Sequence, residues 1–405
     1  MVATRVDVGS MTSAFRQSRA GEASPPIKVA FFIPDLRGGG AERIAIDYLR
    51  HLDRSRFAAR LILCERRGAH LERIPEDVCV TSLGKNSRWS LPLLIYRFRR
   101  LAERTRPDIV VSFLWYSDAI QLQARRRSDS WCAVCALHSV PGQLRRERSG
   151  SLKLWWMQRL YRRADGAMAV SQRLAEEFRS LYRIPDDKPV WDQPNPFPLE
   201  QIRQAAESSN PPPWRVRPGA RLVVVGRLEP VKGHDVLLRA LAEIRSDLDW
   251  HLKILGVGPE ESRLRGLASD IGLGSRVEFL GYLDNPYPTI RSADLLVLPS
   301  RAEAFPSVLV EAMALGTPTV AADCPTGPAD VLDAGRAGCL VRSGDPTALA
   351  RGIAGLLEDG TERGRLRQAG MERVEQWDAS IVLPLFESRL ENLLVSPTRS
   401  RAPHT

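Results

Sequence analysis

The sequence predicts an α/β protein built from two doubly wound, Rossmann-like halves. Short apolar runs rich in Val, Ile and Leu alternate with helical patterns along nearly the whole chain. The alternation breaks at a proline-rich stretch, 194–219, and then restarts. A chain of 405 residues also suits two domains better than one.

In the first half the strand-like runs fall at 27–33, 60–64, 108–113, 132–137 and 167–170. Helical stretches such as 41–52, 91–104 and 172–181 separate them. A short helix is expected at 199–207, inside the interdomain stretch. Strands resume at 221–225, 251–255, 276–280, 294–298, 317–321 and 338–341, with a helix at 235–244. The last helical stretch, 380–394, follows Trp377 and is expected to pack back across the first half. The resulting division is a disordered leader (1–25), an N-terminal domain (26–196), a linker (197–218), a C-terminal domain (219–376), a returning helix (377–395) and a tail (396–405).

Composition narrows the class. Hydrophobic residues make up 43% and charged residues 26%, as in soluble globular proteins. No apolar run reaches the roughly 18 residues of a membrane span, and the first 25 residues lack the apolar core of a secretory signal. The net charge of +10 fits an anionic partner, but no aromatic-plus-basic RNA signature accompanies it, so nucleic acid is not expected. The six cysteines lie mostly in apolar runs, which reads as reduced thiols in a cytoplasmic chain. Trp131-Cys132-Ala133-Val134-Cys135 imitates a redox motif, yet its place in an apolar strand favours core packing.

In open α/β sheets, ligands bind at the C-terminal strand edges. The run 294–298 ends in Pro299-Ser300; Pro306 and Gly316 then bracket an unbroken helical stretch, with Pro306 expected at the first helical position. Such a helix N-terminus suits phosphate. Glu303 in the loop and Glu311 inside the helix can both reach one ligand; carboxylates beside an anion seat make sense if they bind hydroxyls. An ordinary βα unit with a solvated Glu is the plainer alternative. The run 221–225 leads into Gly226-Arg227, with Lys232-Gly233 following: a fork and a mobile point charge for phosphate, or else a solvated basic loop. Near the start, 31–33 runs into Pro34-Asp35-Leu36-Arg37-Gly38-Gly39-Gly40, where glycines allow close backbone approach. Neither this stretch nor Gly256-Val257-Gly258 is a dinucleotide fingerprint.

Residues 300–316 resemble the E-x7-E signature of the retaining family 4 glycosyltransferases, which have the GT-B fold. Gly226, Arg227 and Lys232 are similar to that family's diphosphate-binding positions, and Gly39-Gly40-Ala41-Glu42-Arg43 to the opening of one branch. Asn195-Pro196 and D-C-P-T-G-P at 323–328 fall in family order, and the resemblance spans about 27–395. It implies that the domains bind acceptor (N-terminal) and nucleotide sugar (C-terminal) across a cleft. It further implies that Glu303 contacts the donor hexose, Glu311 the ribose hydroxyls, and Arg227 and Lys232 the diphosphate. Gly39 and Gly40 would pass near the donor, backbone groups of Phe305, Pro306 and Ser307 would meet phosphate, and His138 would stand at the reaction centre, a lone histidine being otherwise structural. The expected donor is a nucleoside-diphosphate sugar, UDP-linked first, and the acceptor a glycan or lipid-linked glycan in envelope or exopolysaccharide synthesis. No cofactor and no metal are expected; Asp247–Asp249, of D-x-D form, reads as a cap and turn. A nucleotide-sugar epimerase and an inactive nucleotide-sugar-binding protein are the competing readings. Two positions depart from the family: Ala304 replaces a glycine, which could shift the loop or narrow the sugar pocket, and Asp330 replaces a glutamate.

Residues 145–163 combine paired tryptophans with many arginines. This suits either an anionic membrane surface, which would make the protein peripheral on the inner face, or a Leu/Trp core face with a solvated Arg face.

Overall fold

The computed structural model describes residues 25–395, apart from 38, 86, 88–89, 139–149, 208–213, 215–218 and 245–247. The expected leader (apart from its last residue), the tail, Asp247 and much of the linker lie outside the described residues.

Two parallel sheets organise the chain. The first holds β1 (Ile27–Ile33), β2 (Phe57–Leu63), β3 (Cys79–Ser82), β4 (Ile109–Phe113), β5 (Cys132–Leu137), β6 (Gly166–Ala169) and β7 (Val190–Asp192), in the order β3-β2-β1-β4-β5-β6-β7. The second holds β8 (Ala220–Val225), β9 (Trp250–Leu255), β10 (Val277–Gly281), β11 (Leu295–Leu298), β12 (Thr319–Asp323) and β13 (Cys339–Arg342), in the order β10-β9-β8-β11-β12-β13. Each order reverses once, between β1 and β4 and between β8 and β11. These are the switch points where a cleft opens.

Strands covered on both faces read as continuous apolar runs. The last five residues of β1 are buried, and so are all six of β9, Lys253 included. The Gly40–His51 helix turns Ile44, Ala45, Tyr48 and Leu49 to the sheet and Arg50 to solvent. Cys132 and Cys135 are buried within β5, so the redox look-alike is core.

Some boundaries differ from expectation. β2 starts three residues early, at Phe57, whose ring is buried although Ala58 is exposed. β12 starts at Thr319 rather than 317, because the Thr317 N–H donates back to Ala312 O at 2.8 Å and Pro318 has no N–H to give a ladder. The edge strands β3 and β7 were not anticipated; they have four and three residues, and neither contains a buried one.

The chain crosses between the halves twice, and the crossings are tied together. Phe197 N–H donates to Trp377 O at 2.9 Å, and Ala379 N–H to Phe197 O at 2.8 Å. The Ala379–Val395 helix then lies against the first half. Its Phe386 ring sits 4.4 Å from that of Tyr48 and 6.2 Å from that of Phe31. Glu387 accepts from Asp53 N–H and from Arg56, both at 2.8 Å.

Candidate active site

The β8/β11 switch point brings two predicted residues together. Lys232 Nζ lies 2.7 Å from Glu303 Oε1, and Ser300 Oγ donates to the same oxygen at 2.7 Å. The backbone makes this meeting. Gly233 has φ 68°, and a Cβ there would stand 2.1 Å from Pro299 O, so only glycine lets the β8 loop touch the β11 loop. Arg301 fastens the same junction: its N–H donates to Val231 O at 2.8 Å, and its guanidinium grips both Asp235 oxygens at 2.8 Å. From the far side, Thr326 Oγ1 donates to Glu303 O at 2.6 Å. Gly327, at φ 89°, packs where a Cβ would be 3.0 Å from Ala304 O.

Ala304 is not among the left-handed residues, so its side chain is accommodated without strain; it is buried against core residues of the first half. The Phe305 ring turns to the double crossing, 6.1 Å from Phe197 and edge-on to Trp377 at 5.6 Å. Pro306 is the cap residue of the Ser307–Ala314 helix rather than its first helical residue, with ψ 89° outside the helical range. The missing proline N–H costs nothing at that place either, so the helix start shifts by one. Gly316 closes the helix at φ 67°.

Glu311 is buried on that helix, and its partner comes from the other half: Arg43 Nη2 stands 2.6 Å from Glu311 Oε1. Arg43 is also 3.9 Å from Asp47. Burial pushes the Asp47 carboxyl up to about 6 despite the opposing Arg43, His51 and Arg50 charges. Burial would lower the Arg43 guanidinium, but Glu311, Tyr287 and Asp47 outweigh it and raise it. In the sequence Arg43 is one letter of the Gly39–Arg43 motif, with no role of its own. The signal was an arginine in the first turn of a helix, where the macrodipole disfavours a cation and a specific anionic partner must compensate.

The other predicted residues stand apart from this core. Arg227 is largely exposed and pairs with Glu229 at 2.9 Å. Gly39 caps the Gly40–His51 helix with no side-chain cap, and a Cβ on it would meet Glu42 Oε2 at 2.1 Å; Gly40 is open to solvent. Burial pushes the Glu42 carboxyl up, and the Arg227 charge pulls it back. His138, just past β5, stacks on Phe113 at 5.3 Å, and desolvation pushes its imidazole down to about 4, so it is neutral at pH 7. Asp330 reaches across the halves to Arg173 at 3.6 Å.

Two facing Rossmann-like sheets, with a polar cluster at the switch point of the second and an ion pair between the halves, define a GT-B architecture. The description "Glycosyltransferase Family 4" matches residues 38–192, and "Glycosyl transferases group 1" matches residues 216–373. The chain is 30% identical over 317 residues to D-inositol 3-phosphate glycosyltransferase 2 of Catenulispora acidiphila, covering 72% of this chain and 70% of that protein. It is 26% identical over 361 residues to the N-acetylgalactosamine-N,N'-diacetylbacillosaminyl-diphospho-undecaprenol 4-alpha-N-acetylgalactosaminyltransferase of Campylobacter jejuni, covering 87% and 96%. Other relatives are matched over less of their length, down to 18% for an exopolysaccharide phosphotransferase of Streptomyces coelicolor and about half for two further glycosyltransferases. The crystal structure of Anabaena HepE in complex with UDP superposes with a TM-score of 0.74 at 22% identity, over 90% of this chain and 100% of that one. The chain belongs to the family 4 glycosyltransferases.

Proposed function

We propose that the protein transfers a hexose or N-acetylhexosamine, with retention, from a nucleoside-diphosphate sugar to a glycan or lipid-linked acceptor of envelope or exopolysaccharide synthesis. The carrying observation is the Lys232–Glu303 contact at 2.7 Å. It sets a cation, for the leaving diphosphate, beside a carboxylate, for sugar hydroxyls. UDP is the preferred carrier, since the HepE structure holds it. Glu311 receives the ribose hydroxyls. Arg227 swings from Glu229 to the diphosphate, offsetting with Lys232 the charge that develops as the sugar–phosphate bond breaks. The new bond forms on the same face as the bond that breaks, and the acceptor proton passes to the departing phosphate oxygen. Neutral His138 faces the sugar from the acceptor side. No metal is required, so EDTA should leave turnover unchanged. The matched relatives carry transferase names, which favours transfer over epimerisation.

The test is a panel of UDP- and GDP-sugars, read by thermal shift and by donor hydrolysis. A donor that both stabilises the protein and turns over supports transfer. Stabilisation without turnover, with any acceptor, would favour an inactive binding protein.

A second reading concerns location. Among the described residues no helix is long and apolar enough to cross a membrane. The Gly150–Tyr161 helix buries Met157, Leu160 and Tyr161, while Leu152 and Trp155 are 72% and 49% exposed. Cations cover the outer rings: Lys153 lies 4.0 Å from Trp115 and Arg159 4.1 Å from Trp155. The helix thus has the apolar core face, and its opposite face leaves room for the membrane reading; 145–149 lie outside the described residues. We propose that the outer face rests on an anionic bilayer on the cytoplasmic side. Trp155→Ala should reduce co-sedimentation with anionic liposomes; unchanged binding would remove this reading.

A further inference from the structure

Glu311 presents a problem that its own half does not solve. The residue is 3% exposed, and a carboxylate so buried requires a counter-charge. The groups around it are few. Tyr287 approaches from the Tyr287–Arg291 helix, with Arg73 beyond it on the Ala69–Arg73 turn beside His70. Arg203, on the Leu199–Ala205 helix, spends its guanidinium on Ala314 O and Glu375. Asp47, from the Gly40–His51 helix, adds negative charge. Among the described residues the cation in contact is Arg43, at 2.6 Å.

We infer that Arg43 is a positioning residue that presents Glu311 to the ribose of the donor and thereby makes nucleotide binding depend on contact between the two halves. The inference rests on the reading of Glu311 as the ribose partner. Ribose hydroxyls are donors, and they bind best to an ionised carboxylate of fixed orientation. Arg43 occupies one side of Oε1, and the carboxylate keeps further lone pairs for two hydroxyls. The guanidinium comes from the first turn of the helix that follows Gly39 and Gly40. The backbone expected to lie along the donor and the residue that orients the ribose carboxylate therefore travel as one unit. When the halves separate, Glu311 loses its counter-charge and its affinity for the nucleotide falls.

The experiment measures nucleotide binding by calorimetry at pH 7, with UDP or GDP, whichever the parent binds. The parent carries Asp47→Asn, which removes the neighbouring carboxyl that itself titrates near 6. In this background Arg43→Met should weaken binding by about tenfold or more, in line with leaving a buried charge unpaired. Arg43→Lys should restore part of the affinity, a rescue that loss of packing alone would not give; thermal melts confirm folding, and the lysine variant serves if the methionine variant does not fold. Arg43→Met with parental affinity overturns the inference. Glu311→Gln separates the two claims: if it binds nucleotide as the parent does, the ribose reading has failed; if it binds poorly while Arg43→Met binds well, only the inference has.

Discussion

Glu303 in one half and Asp118 in the other are handled in opposite ways. In the C-terminal half Glu303 is given a cation, Lys232, at 2.7 Å, and both are held by loops tied to each other through Arg301, Gly233 and Thr326. In the N-terminal half Asp118 is given only hydroxyls, Ser112 at 2.5 Å and Tyr161 at 2.8 Å, and burial pushes it up to about 7. The difference is local to these two groups. Among the described residues, left-handed non-glycine backbone and buried hydroxyls without a hydrogen-bond partner occur in both halves, at Leu114 and Ser117 in the first and at Ala334 and Thr319 in the second.

The sharpest break of that contrast is Lys232→Ala. It removes the positive group proposed to face the leaving diphosphate, and loss of one such stabilising group costs about 10²–10³ in kcat. Glu303→Ala should abolish transfer as well. Product formation from the best donor in the panel measures both, and full activity of either variant would dissolve the site as drawn. Next in size is Gly233→Ala. The methyl group would collide with Pro299 O at 2.1 Å in a left-handed backbone, so the two loops must part. A destabilisation of about 1–3 kcal/mol is expected, with a fall in kcat from displaced Lys232. An equal fall in stability with kcat intact would show that the brace is structural only.

His138→Ala probes the other half. Its imidazole is held neutral, stacked on Phe113, and in the function proposed above it faces the sugar from the acceptor side. Transfer should fall by about 10²-fold, the range of one general acid–base or polar contact. Nucleotide affinity should stay as in the parent, because none of the donor contacts proposed above is made by this residue. Weakened nucleotide binding would move His138 to the donor site and erase the division of labour.

Much of this was legible in the sequence because both halves use strands buried on both faces, and such strands leave continuous apolar runs. The edge strands β3 and β7 left none: a strand with one neighbour and no buried residue has no pattern to show. The chemical site was legible where one loop carries it. Glu303, Pro306 and Glu311 share a segment, and their spacing is a property of the chain. Arg43 reaches Glu311 from 268 positions away, counting 311 minus 43. No spacing reports such a contact, which exists only once the two sheets face each other. Ala304 marked, from sequence, a departure that could shift the loop or narrow the sugar pocket; the residue takes an ordinary conformation, and the packing of its methyl group against the first half is another contact that no local spacing reports.

The smallest expected effect tests the other side of the opening contrast. Asp118 ties β4, through Ser112, to the Gly150–Tyr161 helix, through Tyr161. Its folded pKa of about 7 lies above the unfolded value of roughly 3.9. A carboxyl raised in this way favours the folded state fully below the unfolded pKa, and the advantage is lost as pH rises through about 7. The parent should therefore lose stability between about pH 4 and 7. Asp118→Asn keeps the neutral shape and cannot ionise, so its melting temperature should lose this component of the slope, and its difference from the parent should move in the variant's favour as pH rises. Parallel melting curves for the two proteins from pH 4 to 8 would show that burial does not raise the Asp118 carboxyl, and its contrast with Glu303 would then disappear.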